Sequence, residues 1–144
     1  MFTALLALVT AALFAGGALY VSVAEHPARM RLAEPAALAQ WQPSYARAAP
    51  LQAGLALLSF LLGAWTWWTL GDPWLLAGAL AIGANIPLTL LVIMPANRRL
   101  KATDIEAAGP ETRVLLARWG SLHALRTLLG LAAVALYFIA FLQP

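Results

Sequence analysis

The sequence predicts an all-α fold, an integral membrane four-helix bundle with cytoplasmic interfacial helices. Two observations lead to this fold class. First, 62% of the 144 residues are hydrophobic, only 10% are charged, and the mean hydropathy is +0.79, a composition far from that of soluble domains. Second, the Lys and Arg residues are confined to two segments that separate long apolar runs. A chain of this kind needs a bilayer to cover its apolar surface.

Four spans are predicted within a single domain, residues 1–144. A hydrocarbon core of roughly 30 Å requires about 20 helical residues, and the predicted spans are about 2–25, 49–70, 73–96 and 121–142. The fourth apolar run is short, so its helix begins near Ser121 and takes His123 and Arg126 into its first turns. The first span lacks a basic n-region and is too long for an h-region, so we predict a retained helix rather than a signal peptide.

The distribution of positive charge predicts the topology. All nine Lys and Arg lie between spans 1 and 2, or between spans 3 and 4 and at the start of span 4. By the positive-inside rule both basic segments are cytoplasmic and both termini lie outside, which fits a bacterial inner membrane. The expected partners are membrane lipid, a hydrophobic small-molecule ligand and, as an open alternative, a second copy of the chain. No nucleic acid is expected, because any such bundle needs these charges for its topology.

Prolines and aromatic residues predict the segment between spans 1 and 2. Pro27 disfavours helical geometry at the preceding residue, so span 1 should end near Glu25 and His26. The following loop, about 27–49, carries Trp41 and Tyr45 one helical turn apart. They are interpreted as anchors of an interfacial segment, or alternatively as part of a lid over a ligand pocket.

Small and polar residues predict further local features of the spans. Gly16 and Gly17 should let a neighbouring helix approach span 1 closely. Pro87 should kink span 3, with Asn85 helping to satisfy the freed backbone groups. A capping box at 103–106 and a second start signal at 110–111 predict a short cytoplasmic helix that leads into span 4, with a bend at Gly120. Four tryptophans around the 71–73 turn predict an aromatic belt at the outer interface.

The chain has no cysteine. Disulfides, thiolate metal sites and thiol redox relays are therefore excluded.

One stripe of span 4 gathers groups that can carry chemistry. Trp119, His123 and Arg126 follow the spacing i, i+4, i+7, so they share a helical face. Charged side chains at this depth need partners, because exposure to lipid is costly. The ends of spans 1 and 3 bring Glu25, His26 and Asn97 to the same depth.

These groups allow a structural and a catalytic interpretation. In the structural one they form an interfacial salt-bridge cluster, for example Glu25 with Arg126. In the catalytic one, His26 or His123 acts as a general base, and Arg126 and Asn97 stabilise an oxyanion.

The cofactor is left open by the residues. His26, His123 and Glu25 have the inventory of a two-histidine, one-carboxylate iron site or, with a fourth group, of a copper site. Two histidines ligating one haem is a further alternative, and a site without any cofactor is another. No helical His-x-x-x-His spacing decides among them.

Several short motifs resemble the anthrone oxygenase-like family of small four-span membrane proteins. They are Phe14-Ala15-Gly16-Gly17 with Glu25-His26-Pro27, the run Pro95-Ala96-Asn97-Arg98-Arg99, and Arg118-Trp119 followed by His123 and Arg126. The resemblance covers essentially the whole chain. It implies a membrane four-helix bundle and, in the characterised fungal branch, oxidation of a polyphenolic anthrone to an anthraquinone with O₂. The polar positions that match the family are His26, Asn97, Trp119, His123 and Arg126.

The leading hypothesis is a membrane oxygenase or oxidoreductase that acts on a hydrophobic aromatic or phenolic small molecule at the cytoplasmic boundary. Its catalytic residues would be His26, His123, Arg126 and Asn97, and Trp119 and Tyr20 would form an aromatic wall for the substrate. The alternative is a non-catalytic membrane subunit or ligand-binding bundle with a structural polar cluster. A transporter ranks third, since four spans without repeats would need to oligomerise to form a path.

Overall fold

A computed structural model describes residues 1–143 and contains four long helices. They are α1, Phe2–Arg29; α2, Glu34–Leu70; α3, Pro73–Ala102; and α4, Pro110–Leu142. Each is long and apolar enough to cross a membrane, and no strand occurs between residues 1 and 143. The predicted all-α, four-span membrane bundle is therefore confirmed. Pro144, the last residue of the predicted domain, lies outside the described residues.

The four helices form an up-and-down bundle. Helix α1 packs against α2 and α4, and α3 packs against the same two helices from the opposite side. Short connections make chain neighbours antiparallel. The Lys and Arg residues thereby collect at one end of the bundle, here called the basic end, and the turn at Gly71 lies at the opposite end.

Two helices contain a π-helical segment just before a proline. In α1 the segment is Val21–Glu25, where the His26 N–H bonds to the carbonyl of Val21, and Pro27 follows. In α3 it is Leu88–Ile93, where the Met94 N–H bonds to the carbonyl of Thr89, and Pro95 follows. A proline lacks the N–H of an α-helical turn and clashes with the carbonyl four residues earlier. The wider turn accommodates the ring, so α1 continues to Arg29 instead of ending at His26 as predicted.

The predicted interfacial loop between spans 1 and 2 is wrong, because most of it is the first third of α2. This helix has 37 residues and is about 55 Å long, well beyond the roughly 30 Å of a hydrocarbon core. Its extension at the basic end buries Leu38 and Trp41 completely against Leu100 of α3 and Leu116 of α4. Burial of this apolar face outweighs the helix-breaking tendency of Pro43, which lies inside the helix.

The predicted separate helices at the basic end are also absent from residues 1–143, apart from one short turn. The predicted helix leading into span 4 is continuous with it, as Pro110–Leu142. Gly120 lies within this continuous helix and makes room for the imidazole of His26. Apart from the four long helices, residues 1–143 contain only a 3₁₀ turn at Ile105–Ala107.

The half of the bundle away from the basic end is tightly packed around Tyr137. This side chain is fully buried, and its hydroxyl donates a hydrogen bond of 3.0 Å to the carbonyl of Ser59. Gly63 and Gly78 leave the space for its ring, and a Cβ on Gly78 would lie 2.6 Å from Tyr137 Cδ1.

The predicted Gly16-Gly17 contact is only half right. A Cβ on Gly17 would meet Gln52 Nε2 at 2.8 Å, whereas one on Gly16 would meet no atom of the described chain within 4 Å. Close helix approach depends instead on glycines such as Gly130, where a Cβ would lie 2.8 Å from Phe14 Cδ1.

Polar side chains tie the connections together at the basic end. Arg113 of α4 donates hydrogen bonds to Glu34 Oε1 at 2.7 Å and to the carbonyls of Met30 at 2.8 Å and Leu32 at 2.7 Å. Gln42 of α2 donates to the carbonyls of Leu100 and Thr103 at 3.1 and 3.0 Å, at the end of α3. These hydrogen bonds fix the ends of the four helices relative to one another at the basic end.

Candidate active site

The layer nearest the basic end is a buried ion-pair network centred on Glu25. Ser44 donates to Glu25 Oε1 at 2.6 Å and Gln40 at 3.2 Å, and the Arg29 guanidinium pairs with the same oxygen. Arg29 also donates to Gln40 and lies 3.2 Å from His26 Nδ1. Since Arg29 is only 2% exposed, Glu25 is the counter-ion of a buried charge. The predicted pairing of Glu25 with Arg126 is therefore wrong.

An aromatic stack lies beside this network. The imidazole of His123 stacks on Trp119 at 4.9 Å with an interplanar angle of 14°. Trp119 also meets Trp41 edge to face at 5.8 Å, and Trp41 stacks on Tyr45 at 4.7 Å. The predicted spacing on α4 thus does place Trp119 and His123 together inside the bundle.

His123 is buried and Arg126 is half-buried, and neither has a polar partner at its buried nitrogens. His123 is 5% exposed, and within residues 1–143 neither of its ring nitrogens has a hydrogen-bond partner. The same holds for Nε of Arg126, whose guanidinium carbon lies 5.4 Å from the centroid of Phe14. The described acidic residues provide no salt bridge to Arg126. Buried polar groups normally find partners, so these two side chains are arranged for something that binds between the helices.

Two adjoining cavities lie in front of these side chains. The inner cavity, about 30 Å³, has room for one or two molecules the size of water and is lined by Val21, Glu25, Arg29, Trp41, Ser44, Tyr45, Ala48, Ala49, Trp119, His123 and Arg126. The lateral cavity, about 120 Å³, is lined by Tyr45, Ala49, Ala53, Ala56, Asn85, Ile86, Thr89, Leu90 and Arg126. Tyr45, Ala49 and Arg126 line both, so the cavities adjoin at these three residues.

Asn97 lies behind this junction rather than in it. It is 1% exposed, and its Nδ2 donates a hydrogen bond of 2.9 Å to the Tyr45 hydroxyl oxygen. Because that oxygen accepts from Asn97, the Tyr45 O–H remains available to donate to a ligand. Asn97 is therefore a positioning residue for Tyr45. Asn97 was predicted to contact an oxyanion directly, but in this arrangement Tyr45 is the residue placed to do so.

His26 and Tyr20 lie away from the cavities. His26 packs between Gly120 and Trp119, with its ring centroid 5.3 Å from that of Trp119. The Trp119 side chain thus lies against both histidines. Tyr20 is 61% exposed on the outer surface of α1, so the prediction that it forms part of the substrate wall is wrong. Trp41 and Tyr45 take that place.

The residues do not fit the predicted metal site. The proposed ligands were His26, His123 and Glu25, but residues 1–143 contain no group of three His, Asp or Glu side chains placed to hold a metal ion. Glu25 is engaged by Arg29, Gln40 and Ser44. The imidazole of His123 is stacked on Trp119. We therefore derive no step through a metal.

Three contributors were missed from the sequence. Trp41 and Tyr45 were assigned to the membrane interface because their segment contains prolines. The alternative, a lid over a ligand pocket, correctly placed them next to a cavity. Asn85 was assigned only to a kink, yet it is 2% exposed with an unpaired Oδ1 on the lateral cavity. The signal in the sequence was an amide side chain within an apolar span, where a polar group needs a partner.

The fold and site define a class of protein: a four-helix membrane bundle with a histidine and an unpaired arginine facing a cavity between its helices. Comparison with protein families adds the particular assignment. The anthrone oxygenase family model matches residues 41–136, which is 96 of the 144 residues, so the chain belongs to the anthrone oxygenase family. The matched segment contains Tyr45, Asn85, Asn97, His123 and Arg126. Searches of curated proteins and of solved structures found no match.

Proposed function

We propose that this protein is a membrane oxygenase that oxidises a hydrophobic aromatic or phenolic compound with O₂ at the basic end of the bilayer. One observation carries the proposal: the unpaired His123 and Arg126 side chains lie on the inner cavity, which adjoins the lateral one at Arg126. A base and a cation on one cavity are what removal of a proton and stabilisation of the resulting anion require. Family membership supports the same class of reaction.

The first step is proton removal by His123. In a substrate with a methylene group between two aromatic rings and conjugated to a carbonyl, a neutral imidazole nitrogen takes one methylene proton. The negative charge moves to the carbonyl oxygen. The Arg126 guanidinium and the Tyr45 O–H, which Asn97 holds in place, stabilise that oxygen within a low-dielectric cavity.

The second step is electron transfer to O₂. The carbanion forms a carbon–oxygen bond with O₂ and, with one proton, gives a hydroperoxide on the former methylene carbon. Loss of the second proton from that carbon, with cleavage of the O–O bond, leaves a carbonyl and releases water. Overall, the methylene compound and one O₂ give the carbonyl compound and one H₂O. O₂ is reduced by four electrons, all of which come from the methylene carbon.

His26 supports this arrangement from behind Trp119, and Glu25 supports it from the wall of the inner cavity. The Glu25–Arg29 pair fixes the basic end of α1, and His26 fills the space at Gly120. We assign both residues to positioning of Trp119 and therefore of the His123 ring stacked upon it. The bacterial inner membrane location, with the basic end in the cytoplasm, belongs to the same proposal and rests on the charge distribution.

The test is oxidation of an anthrone by protein reconstituted in lipid nanodiscs. Anthraquinone formation is followed by absorbance and O₂ consumption with an electrode, and both are compared with empty nanodiscs to subtract autoxidation. We expect one O₂ consumed per quinone formed. His123→Ala should lower the rate at least about 100-fold, whereas Arg118→Gln, at an exposed position on the same helix, should leave it unchanged.

A ligand-binding bundle is the second candidate, and the lateral cavity favours it equally. If the wild-type protein binds aromatic ligands but the rate equals that of empty nanodiscs for anthrones and phenols alike, the oxygenase proposal fails and the non-catalytic bundle stands.

A further inference from the structure

The lateral cavity exists because α2 presents small side chains to it. Ala49, Ala53 and Ala56 recur at i, i+4 and i+7 on α2 and face Asn85 and Thr89 of α3. The two helices pack on each other elsewhere along the bundle. The cavity is a gap between two well-packed helices rather than a loose region of the bundle.

Asn85 is the buried amide among the residues that line this cavity. Its Nδ2 donates to the carbonyl of Ile82 at 3.1 Å, which fixes the orientation of the amide. Its Oδ1 is buried and lacks a hydrogen-bond partner in residues 1–143. A buried carbonyl oxygen without a donor is unfavourable, so the site is complete only when a ligand supplies an O–H or N–H.

The lateral cavity is open toward the lipid between α2 and α3. Two of its lining residues are exposed on the outer surface: Ala53, and Leu90 at 58%. A ligand dissolved in the bilayer can therefore enter sideways, and an apolar substituent too large for the cavity can remain among the acyl chains.

The enclosed volume limits what fits. A cavity of about 150 Å³ binds benzene in a well-studied protein, so about 120 Å³ here encloses roughly one aromatic ring. A larger ring system has to extend into the inner cavity or through the lipid-facing opening.

We propose that the lateral cavity selects aromatic compounds with two oxygen functions at opposite ends of the ring system, and that Asn85 is the residue that determines this specificity. One oxygen binds as the anion at Arg126 and Tyr45, and the other donates its O–H to Asn85 Oδ1. This inference rests on the proposed function for the role of Arg126, and it adds the class of substrate. Monohydroxylated aromatics fit the same space but leave Asn85 Oδ1 unpaired.

The experiment compares 1-naphthol with 1,5-dihydroxynaphthalene. Binding to the protein in nanodiscs is measured by titration calorimetry without oxygen, and partition into empty nanodiscs is subtracted. We expect the wild-type protein to bind the diol about tenfold more tightly than the mono-ol. Asn85→Leu should remove that preference and leave the affinity for 1-naphthol within about twofold. Equal affinities in the wild-type protein, or a preference that survives in Asn85→Leu, would overturn the inference.

A second variant tests the cavity even if Asn85→Leu fails to fold. Ala53→Phe fills the cavity from its lipid-facing rim, so both ligands should bind at least tenfold more weakly. The matched control is Leu57→Phe, one turn further along α2 at an exposed position, which should bind like the wild-type protein. Unchanged binding in Ala53→Phe would show that the ligands bind elsewhere.

The two proposals fail separately. If the diol is preferred through Asn85 but anthrones are oxidised no faster than in empty nanodiscs, the oxygenase proposal is refuted and the specificity site remains. If anthrones are oxidised but Asn85→Leu keeps the preference for the diol, the specificity site is refuted and the oxygenase proposal stands.

Discussion

Arg29 is buried between helices and Arg126 is half-buried beside the cavities, and their surroundings differ. Arg29 is paired with Glu25 and hydrogen-bonded to Gln40, whereas the described acidic residues leave Arg126 without a salt bridge. A buried charge without a counter-ion is destabilising. Proteins retain such groups mainly at functional sites, where stability and activity compete. The two arginines should therefore respond in opposite ways to substitution.

Arg126→Met should stabilise the protein and inactivate it. The apolar side chain keeps much of the volume and removes the unpaired charge, so we expect the Tm in detergent to rise by a few degrees. Ligand binding and turnover should both be lost. The Glu25–Arg126 salt bridge considered from the sequence would imply the opposite, since loss of Arg126 would then leave a carboxylate unpaired. A lower Tm for Arg126→Met would point to an unrecognised structural role.

Glu25→Ala should destabilise strongly. It leaves Arg29 buried without its counter-ion, which typically costs about 3–5 kcal/mol. The free energy of unfolding is measured by denaturant titration in mixed micelles. Glu111→Ala, an exposed acidic residue of α4, serves as the control and should change the stability by less than about 0.5 kcal/mol. A loss in Glu25→Ala no larger than in this control would contradict the network.

Helical periodicity predicted half of the site at the residue scale. The i, i+4, i+7 spacing of Trp119, His123 and Arg126 correctly placed them on a buried face, because α4 is a regular helix there. The prediction that Tyr20 lines the substrate site was wrong. The buried face of α1 contains Phe14 and Ala18, so Tyr20 faces outward. Pairing among polar groups is a tertiary property, so neither the Glu25–Arg29 pair nor the contact between Asn97 and Tyr45 followed from spacing.

At the scale of elements, prolines decided where the sequence predictions failed. Pro27 was taken as the end of span 1, and Pro43 lay within the predicted loop at about 27–49. A π-helical segment accommodates the first, and the second lies inside a helix that is stabilised by burial of Trp41. π-Helical turns occur frequently at functional sites. Here Val21 and Glu25 from one segment, and Thr89 and Leu90 from the other, line the two cavities.

Packing of α3 on α4 through glycine gives a prediction for elements. Gly78→Ala puts a Cβ 2.6 Å from the Tyr137 ring, so the helices must separate or the ring must move, and the Tm should fall by several degrees. Gly16→Ala, which faces open space, should leave the Tm unchanged or raise it slightly through helix propensity. Equal effects of the two substitutions would show that Tyr137 does not pack as described.

At the scale of the molecule, the bundle was predictable and its orientation in a membrane remains a prediction. Length and apolarity alone specify four spans, because a bilayer demands about 20 residues for each. The exposed Trp65, Trp68 and Trp74 agree with an aromatic belt at the end opposite the basic residues. The extended helices at the basic end could not be predicted, since their stability comes from contacts among three helices.

Reporter fusions test the topology. With both termini outside, a periplasmic reporter placed at Asp72 or at the carboxyl terminus should be active, and one placed in the 103–109 connection should be inactive. Cytoplasmic activity at either of the first two positions would overturn the orientation.

The closed packing around Tyr137 has a consequence for membrane energetics. The described residues pack closely around Tyr137 in the half of the bundle opposite the basic end, and Glu25 and Arg29, which line the inner cavity with His123, lie on the side of the basic end. A proton taken up by His123 therefore returns to the compartment that faces this end. Turnover should be electrically silent: it would move no net charge through the bilayer, and its rate should not respond to the transmembrane voltage imposed on sealed vesicles.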